Sequence, residues 1–135
     1  MGVISEAGCP AVADPGADAV AVAQREGLRV VPLVGPSSVL MALMASGMNG
    51  QSFAFHGYLP IDEQTRTRAL HRLVQAVQRD KQTQIFIETP YRNDRLIATL
   101  IRTLPSQMRL CVAADISGTS ESIVTDTLAG WRRRK

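Results

Sequence analysis

Four short stretches hold the residues best equipped for chemistry: 5–14, 34–38, 88–92 and 115–121. Carboxylates stand at Glu88, Asp115 and Glu121, where they can accept protons or hydrogen bonds. Arg92, four residues after Glu88, suits an anionic group or an ion pair with that glutamate. Gly8 lets backbone approach a bulky ligand closely. Ser37 and Ser38 open an apolar stretch of helical character, and free N–H groups at a helix start suit a polar ligand. Each feature also has a plainer reading. Asp14 precedes Pro15 and can simply cap a helix. Thr89 and Pro90 can open a helix as cap and first-turn residue. For Glu88 and Arg92 a task is favoured, because charge at a sheet's carboxyl edge costs desolvation unless it has a use or a partner. Cys9 has no base-and-orienter pair nearby and reads as a small loop residue, while Cys111 reads as core. His56 and His71 lack companions at ligand spacing, so no metal site is expected.

Positioning these stretches requires alternating strands and helices. Residues 2–5 and 28–33 read as buried strands, 17–26 as an alanine-rich helix ending at Gly27, and 39–45 as a helix apolar nearly all round. Beyond a small, glycine-rich segment at 46–50, strands are expected at 53–58, 84–88 and 109–114. Helices are expected at 65–79, 91–104 and 128–134. Such alternation implies a mostly parallel sheet, with ligands bound beyond the carboxyl ends of its strands. All four chemical stretches follow expected strands.

Composition narrows the class. The chain has 135 residues, 45% of them hydrophobic and 20% charged, which is globular rather than disordered. Its longest apolar runs fall short of the roughly 20 residues that cross a bilayer, so no membrane partner is expected. Two cysteines make neither a disulfide framework nor a four-cysteine zinc site, and a reducing, cytoplasmic compartment fits. A net charge of +3 permits an RNA partner without demanding one, because four of the 15 basic residues are the terminal Arg132, Arg133, Arg134 and Lys135. The run reads as a solvated end or as a phosphate contact. Arg66, Arg68 and Arg72 read as a charged, solvated helix face that also suits RNA. Aromatics at 4% argue against a base-stacking sheet. Residues 1–47 alone are too few to bury both faces of a parallel sheet.

Three motifs, taken together, carry a resemblance. They are Val3-Ile4-Ser5-Glu6-Ala7-Gly8-Cys9-Pro10 with Ala13-Asp14-Pro15-Gly16, then Val30 to Ser38 through Gly35-Pro36, then Ile87-Glu88-Thr89-Pro90-Tyr91-Arg92. Their order and spacing resemble the tetrapyrrole methylase superfamily of S-adenosylmethionine-dependent methyltransferases. The branch most resembled contains the ribosomal RNA small-subunit methyltransferase I, which methylates a ribose 2′-hydroxyl.

The resemblance implies an α/β, tetrapyrrole-methylase-like fold. Residues 1–47 would be the second part of an N-terminal α/β domain, and 48–135 most of a C-terminal α/β domain without its last strand. The family's opening strand and glycine-rich loop would precede Met1, so this chain alone is expected to be incomplete and inactive. S-adenosyl-L-methionine would contact Glu6, Ala7, Gly8, Cys9, Val12, Ser37, Ser38, Ile87, Glu88, Asp115 and Ile116. Asp14 would share in holding its ribose or amino group. Glu88, Asp115 and Glu121 would be candidates to take the hydroxyl proton, with Arg92 and Glu121 near the substrate. Ribosomal RNA is the implied partner and a homodimer the implied assembly. Two departures stand out. Ala114-Asp115-Ile116-Ser117-Gly118 replaces the Arg-Glu-Leu-Thr-Lys of the RNA-methylating branch, and Cys9 replaces the aspartate usual in the tetrapyrrole branch. A corrin or porphyrin methylase, or a non-catalytic remnant that binds RNA or a protein partner, remain the alternatives.

Overall fold

The computed structural model describes residues 1–134. The chain divides into two compact units, Met1–Met41 and Ala42–Lys135. In order, the elements are α1 (Ala17–Arg25), α2 (Ser38–Ser46), β1 (Phe53–Tyr58), α3 (Glu63–Asp80), β2 (Thr83–Ile87), α4 (Asn93–Thr103), β3 (Arg109–Ala114), β4 (Ser122–Thr127) and α5 (Leu128–Trp131).

In the first unit the two expected strands are not formed. Residues 2–5 and 28–33 are extended or irregular, and Ile4, Leu28, Val31 and Leu33 are exposed. A strand needs a ladder partner for its N–H and C=O groups and a face to bury. Among Met1–Met41 no residue is buried, so the apolar pattern has nothing to close against. Helix α1 forms where its alanines favour it and ends before Gly27, in the left-handed region at φ 66°. Its N-cap is Gly16, with no side-chain cap, so Asp14 does not serve as one.

The second unit is built on two strand pairs. Strands β1 and β2 are parallel, with Phe53 opposite Thr83, Phe55 opposite Ile85 and Tyr58 opposite Ile87. Gly57, at φ 63°, lies where the register shifts between Phe55 and Tyr58, a backbone angle few other residues accept. Strands β3 and β4 form an antiparallel pair, from Arg109 opposite Thr127 to Ala114 opposite Ser122. The sequence did not single out β4 as a strand. Its β-branched run Ile123, Val124, Thr125 is short and runs directly into α5, so the whole segment read as a helix approach.

Leu59, Leu70, Leu96 and Leu100 form the core, with Leu73, Phe86, Leu104 and Leu110 packed against it. These leucines come from α3 and α4 and from the residue leaving β1, so one apolar cluster fixes where β1 hands over to α3. Asn49 organises the entry: its amide donates to Lys81 O at 2.9 Å and its carbonyl accepts from Gln51 N at 3.0 Å. Thr125 Oγ1 donates to Ser46 O at 2.9 Å and Arg109 Nη1 to Gly47 O at 3.2 Å, tying the β3–β4 pair to the end of α2. Within α2, apolar nearly all round, Leu40 and Met44 are exposed in this chain.

Candidate functional site

The first unit carries two of the four stretches and joins them. Cys9 Sγ donates to Pro36 O at 3.5 Å, holding the 5–14 loop against the segment that leads into α2. Ser5 Oγ donates to Ala7 O at 2.8 Å and Val12 N to Cys9 O at 3.2 Å, so the loop folds on itself. Gly8 sits at φ 83°, and a Cβ there would meet nothing within 4 Å. Its backbone therefore faces open space that a side chain would otherwise occupy. Ala11 and Ala13 also take positive φ, at 65° and 53°. Alanine in that region is strained, and such strain gathers where loops are shaped for a ligand. Glu6, Ala7 and Val12 are exposed. Ser37 O accepts from Met41 N at 2.9 Å, and Ser38 is the first residue of α2.

In the second unit, Glu88 leaves the carboxyl end of β2 directly after Ile87, with its side chain about 10% exposed. Its Oε1 accepts from Arg92 Nε and Arg92 Nη2, both at 2.8 Å, and from Thr89 N at 2.7 Å. A charge at the sheet's edge thus has its partner. Oε2 makes no hydrogen bond among the described residues and keeps solvent contact. Arg92 is the N-cap position of α4 and gives no side-chain cap, while Arg92 N donates to Thr89 O at 3.0 Å. Thr89 and Pro90 therefore form the turn before the helix and do not open it.

Asp115 and Glu121 belong to a loop that closes on its own backbone. Asp115, at φ 50°, accepts from Ser120 N through Oδ2 at 2.9 Å. Glu121 Oε2 accepts from Ser117 N at 2.7 Å. The Asp115 carboxylate also fills the space where a Cβ on Gly118 would stand. Both carboxylates are exposed and spent on loop amides, whereas Ile116 between them is half-buried. Of the three acids singled out for proton transfer, Glu88 combines burial, a fixed orientation and a free oxygen.

Several arginines are used differently from their sequence reading. Arg132 donates to Ile101 O at 3.0 Å and 2.7 Å and to Leu104 O at 3.3 Å, closing the carboxyl end of α4. Arg134 donates to Asp126 Oδ2 at 3.0 Å and lies 4.9 Å over the Trp131 ring. The terminal run is therefore largely bound to the chain itself; Lys135 lies outside the described residues. Arg66 is buried rather than part of a solvated face. The pattern of charge along α3 gave no sign of this. A groove of about 540 Å³ lies on the β3–β4 face between Val112, Val124 and Trp131. Its charged member is Arg134, already paired with Asp126, and none of the singled-out site residues lines it.

Known proteins resemble this arrangement. Ribosomal RNA small subunit methyltransferase I of Pasteurella multocida is 33% identical over 133 residues, covering 98% of this chain and 46% of the relative. The protein of the same name from Pseudomonas aeruginosa is 36% identical over 129 residues, covering 96% of this chain and 44% of the relative. That from Mesorhizobium japonicum is 35% identical over 128 residues, covering 95% and 42%. The chain is homologous to a segment of these methyltransferases. It spans less than half the length of the three relatives. No family model matches. The crystal structure of the methyltransferase CobJ superposes with a TM-score of 0.57 over 95% of this chain and 56% of that one, at 17% identity. That likeness identifies the fold as a tetrapyrrole methylase fold. Homology to the small-subunit methyltransferase I proteins runs through both units, and so through all four stretches. No helix among the described residues is long and apolar enough to cross a membrane, and they contain no group of three or more His, Cys, Asp or Glu arranged to hold a metal.

Proposed function

We propose that this chain is part of an S-adenosylmethionine-dependent methyltransferase that acts on ribosomal RNA at a ribose 2′-hydroxyl. The observation that carries the reading is the 33% identity with the Pasteurella multocida protein across 98% of the chain. Residues 1–47 belong to an N-terminal α/β domain and 48–135 to a C-terminal one. A cytoplasmic homodimer is the setting in which such a protein works.

The residues fit the methyl donor. Gly8 offers unobstructed backbone at positive φ, and Cys9 holds its loop against the segment before α2. Glu6, Ala7, Val12, Ser37 and Ser38 are the further donor contacts proposed within the first unit. Ile87, Glu88, Asp115 and Ile116 are those proposed within the second. The donor supplies a sulfonium-activated methyl group, so the protein's tasks are alignment and exclusion of water. Glu88 accepts the proton of the attacking hydroxyl through Oε2, while Arg92 and Thr89 N hold Oε1 in place. Asp115 and Glu121 act by shaping the 115–121 loop.

The test is isothermal titration of the chain with S-adenosylhomocysteine at millimolar ligand. Saturable binding that weakens in Gly8→Val is expected, because a branched Cβ is disfavoured at positive φ and fills the open space. Identical, saturable heats for the two proteins would reject Gly8 as part of the donor site.

A further inference from the structure

The chain has two tyrosines, and both stand in the open at one edge of the second unit. Tyr58 ends β1 and is 55% exposed, whereas Tyr91 follows β2 and is 97% exposed. Strands β1 and β2 run parallel with Tyr58 opposite Ile87, so 59–62 and 88–92 leave the same carboxyl edge. Ile61, on the first of those segments, is also exposed. Single exposed apolar side chains are ordinary, but these three share the edge at which an α/β sheet takes its ligands. Other rings have structural duties: Phe86 packs on the leucine core, and Trp131 Nε1 donates to Leu110 O at 2.9 Å. The Tyr91 ring, almost wholly in solvent, has no share in the core.

The backbone beneath Tyr91 is braced. Arg92 N donates to Thr89 O at 3.0 Å, closing a turn whose two corners are Pro90 and Tyr91. Proline fixes φ at the first corner. Arg92 also grips Glu88 Oε1 at 2.8 Å, and Thr89 N donates to the same oxygen at 2.7 Å, so both ends of the turn are held. A ring presented on such a turn loses little freedom on contact, because tyrosine has few side-chain torsions to fix. The segment also carries the free Oε2 of Glu88, which is proposed to meet the acceptor hydroxyl. In a nucleotide the 2′ oxygen and the base hang from adjacent carbons of one sugar. A ring on the turn beside that acid is therefore placed for the base, and a tyrosine face takes any base by stacking. One ring on a loop suffices for this, so the scarcity of aromatics that argues against a stacking sheet does not oppose it. We infer that Tyr91 is the residue on which the nucleobase of the methylated nucleotide stacks. The inference rests on the methyltransferase reading, which sets that nucleotide's hydroxyl at Glu88.

The experiment compares the wild-type chain with Tyr91→Ala and Tyr91→Phe. Two probes are used: a short single-stranded RNA and a strand of the same length and charge whose sugars carry no bases. Binding is followed by fluorescence anisotropy across a salt series. Wild type should bind the RNA more tightly than the abasic strand. Tyr91→Ala is expected to weaken RNA binding by about tenfold, the loss of one base–aromatic stack, and to leave abasic binding unchanged. Tyr91→Phe should behave as wild type, because the ring remains. The salt slope should be the same in all three proteins, since no charge is removed. In wild type, the Tyr91 ring protons should move upfield with the RNA and stay fixed with the abasic strand, a readout independent of how the variants fold. Undiminished RNA affinity in Tyr91→Ala, or an equal loss for both strands, would overturn the assignment. So would a loss in Tyr91→Phe as large as in Tyr91→Ala, which would make the hydroxyl the operative group. A wild-type chain that binds neither strand, or both equally, would overturn it too. The RNA arms use no methyl donor. Identical S-adenosylhomocysteine heats in wild type and Gly8→Val, alongside base-dependent binding through Tyr91, would therefore count against the donor site and leave the stacking contact standing.

Discussion

Arg92 places both Nε and Nη2 at 2.8 Å from a single oxygen of Glu88, four residues back and across the turn between β2 and α4. The pair fixes the one half-buried carboxylate at the carboxyl edge of the parallel strands, and leaves its second oxygen free. Removing one partner strands the other. Arg92→Ala is expected to destabilise the chain by about 1–3 kcal/mol, because Glu88 is left partly buried without its counter-ion. Glu88→Gln with Arg92→Ala should cost less than the two single changes added together. Denaturant unfolding of the four proteins checks this, and additive effects would show that the pair is not coupled.

Asp62 caps α3 through Thr65 N, and the hydrogen bonds from Thr65 hold its carboxyl below the ordinary value of 3.8. A carboxyl depressed by folding contributes stability that is present above its unfolded pKa and disappears as pH falls through the folded one. Acidifying wild type below about 3.8 should therefore remove a contribution that Asp62→Ala never has. The expected result is a Tm lower by a few degrees in the variant near neutrality, converging on wild type in acid. Thermal melts across that pH range would expose a constant gap if the cap contributed nothing.

Gly118 lies under the Asp115 carboxylate, which also receives Ser120 N. A methyl group at 118 must push that carboxylate away. Gly118→Ala should speed amide exchange at Ser120, and adding Asp115→Gly should relieve the crowding without restoring protection. Slow exchange in Gly118→Ala would mean that the loop does not depend on this contact.

Arg132 satisfies carbonyls of Ile101 and Leu104 at the end of α4. Arg132→Ala should lower stability by about 1 kcal/mol through the orphaned carbonyls. It should leave the salt dependence of RNA binding unchanged. A shallower salt slope would return this residue to the phosphate contacts and contradict its role as a helix closure.

The second unit was largely legible in the sequence. Strands β1 and β3, and helices α3 and α4, fall at or near their expected positions because the periodic apolar residues that mark them, such as Leu70, Leu96 and Leu100, are the ones that pack. The first unit was not. Val30 and Val31 have the composition of a buried strand, but composition does not supply a ladder partner, and Val31 stays exposed. Chemistry divided in the same way. Glu88 and Arg92 were visible as a charge pair at a strand end. Asp115 and Glu121 were equally visible, yet backbone at positive φ turned them toward their own loop. By residue type and spacing, Arg66 could not be distinguished from Arg68 or Arg72.

The most direct test of the donor site is a map of amide shifts during titration of the labelled chain with S-adenosylhomocysteine. The account predicts that Gly8, Cys9, Ser37 and Ser38 move together, while Val112 and Val124 on the β3–β4 groove stay fixed. Shifts confined to the groove, with Gly8 and Ser38 unmoved at saturating ligand, would contradict it.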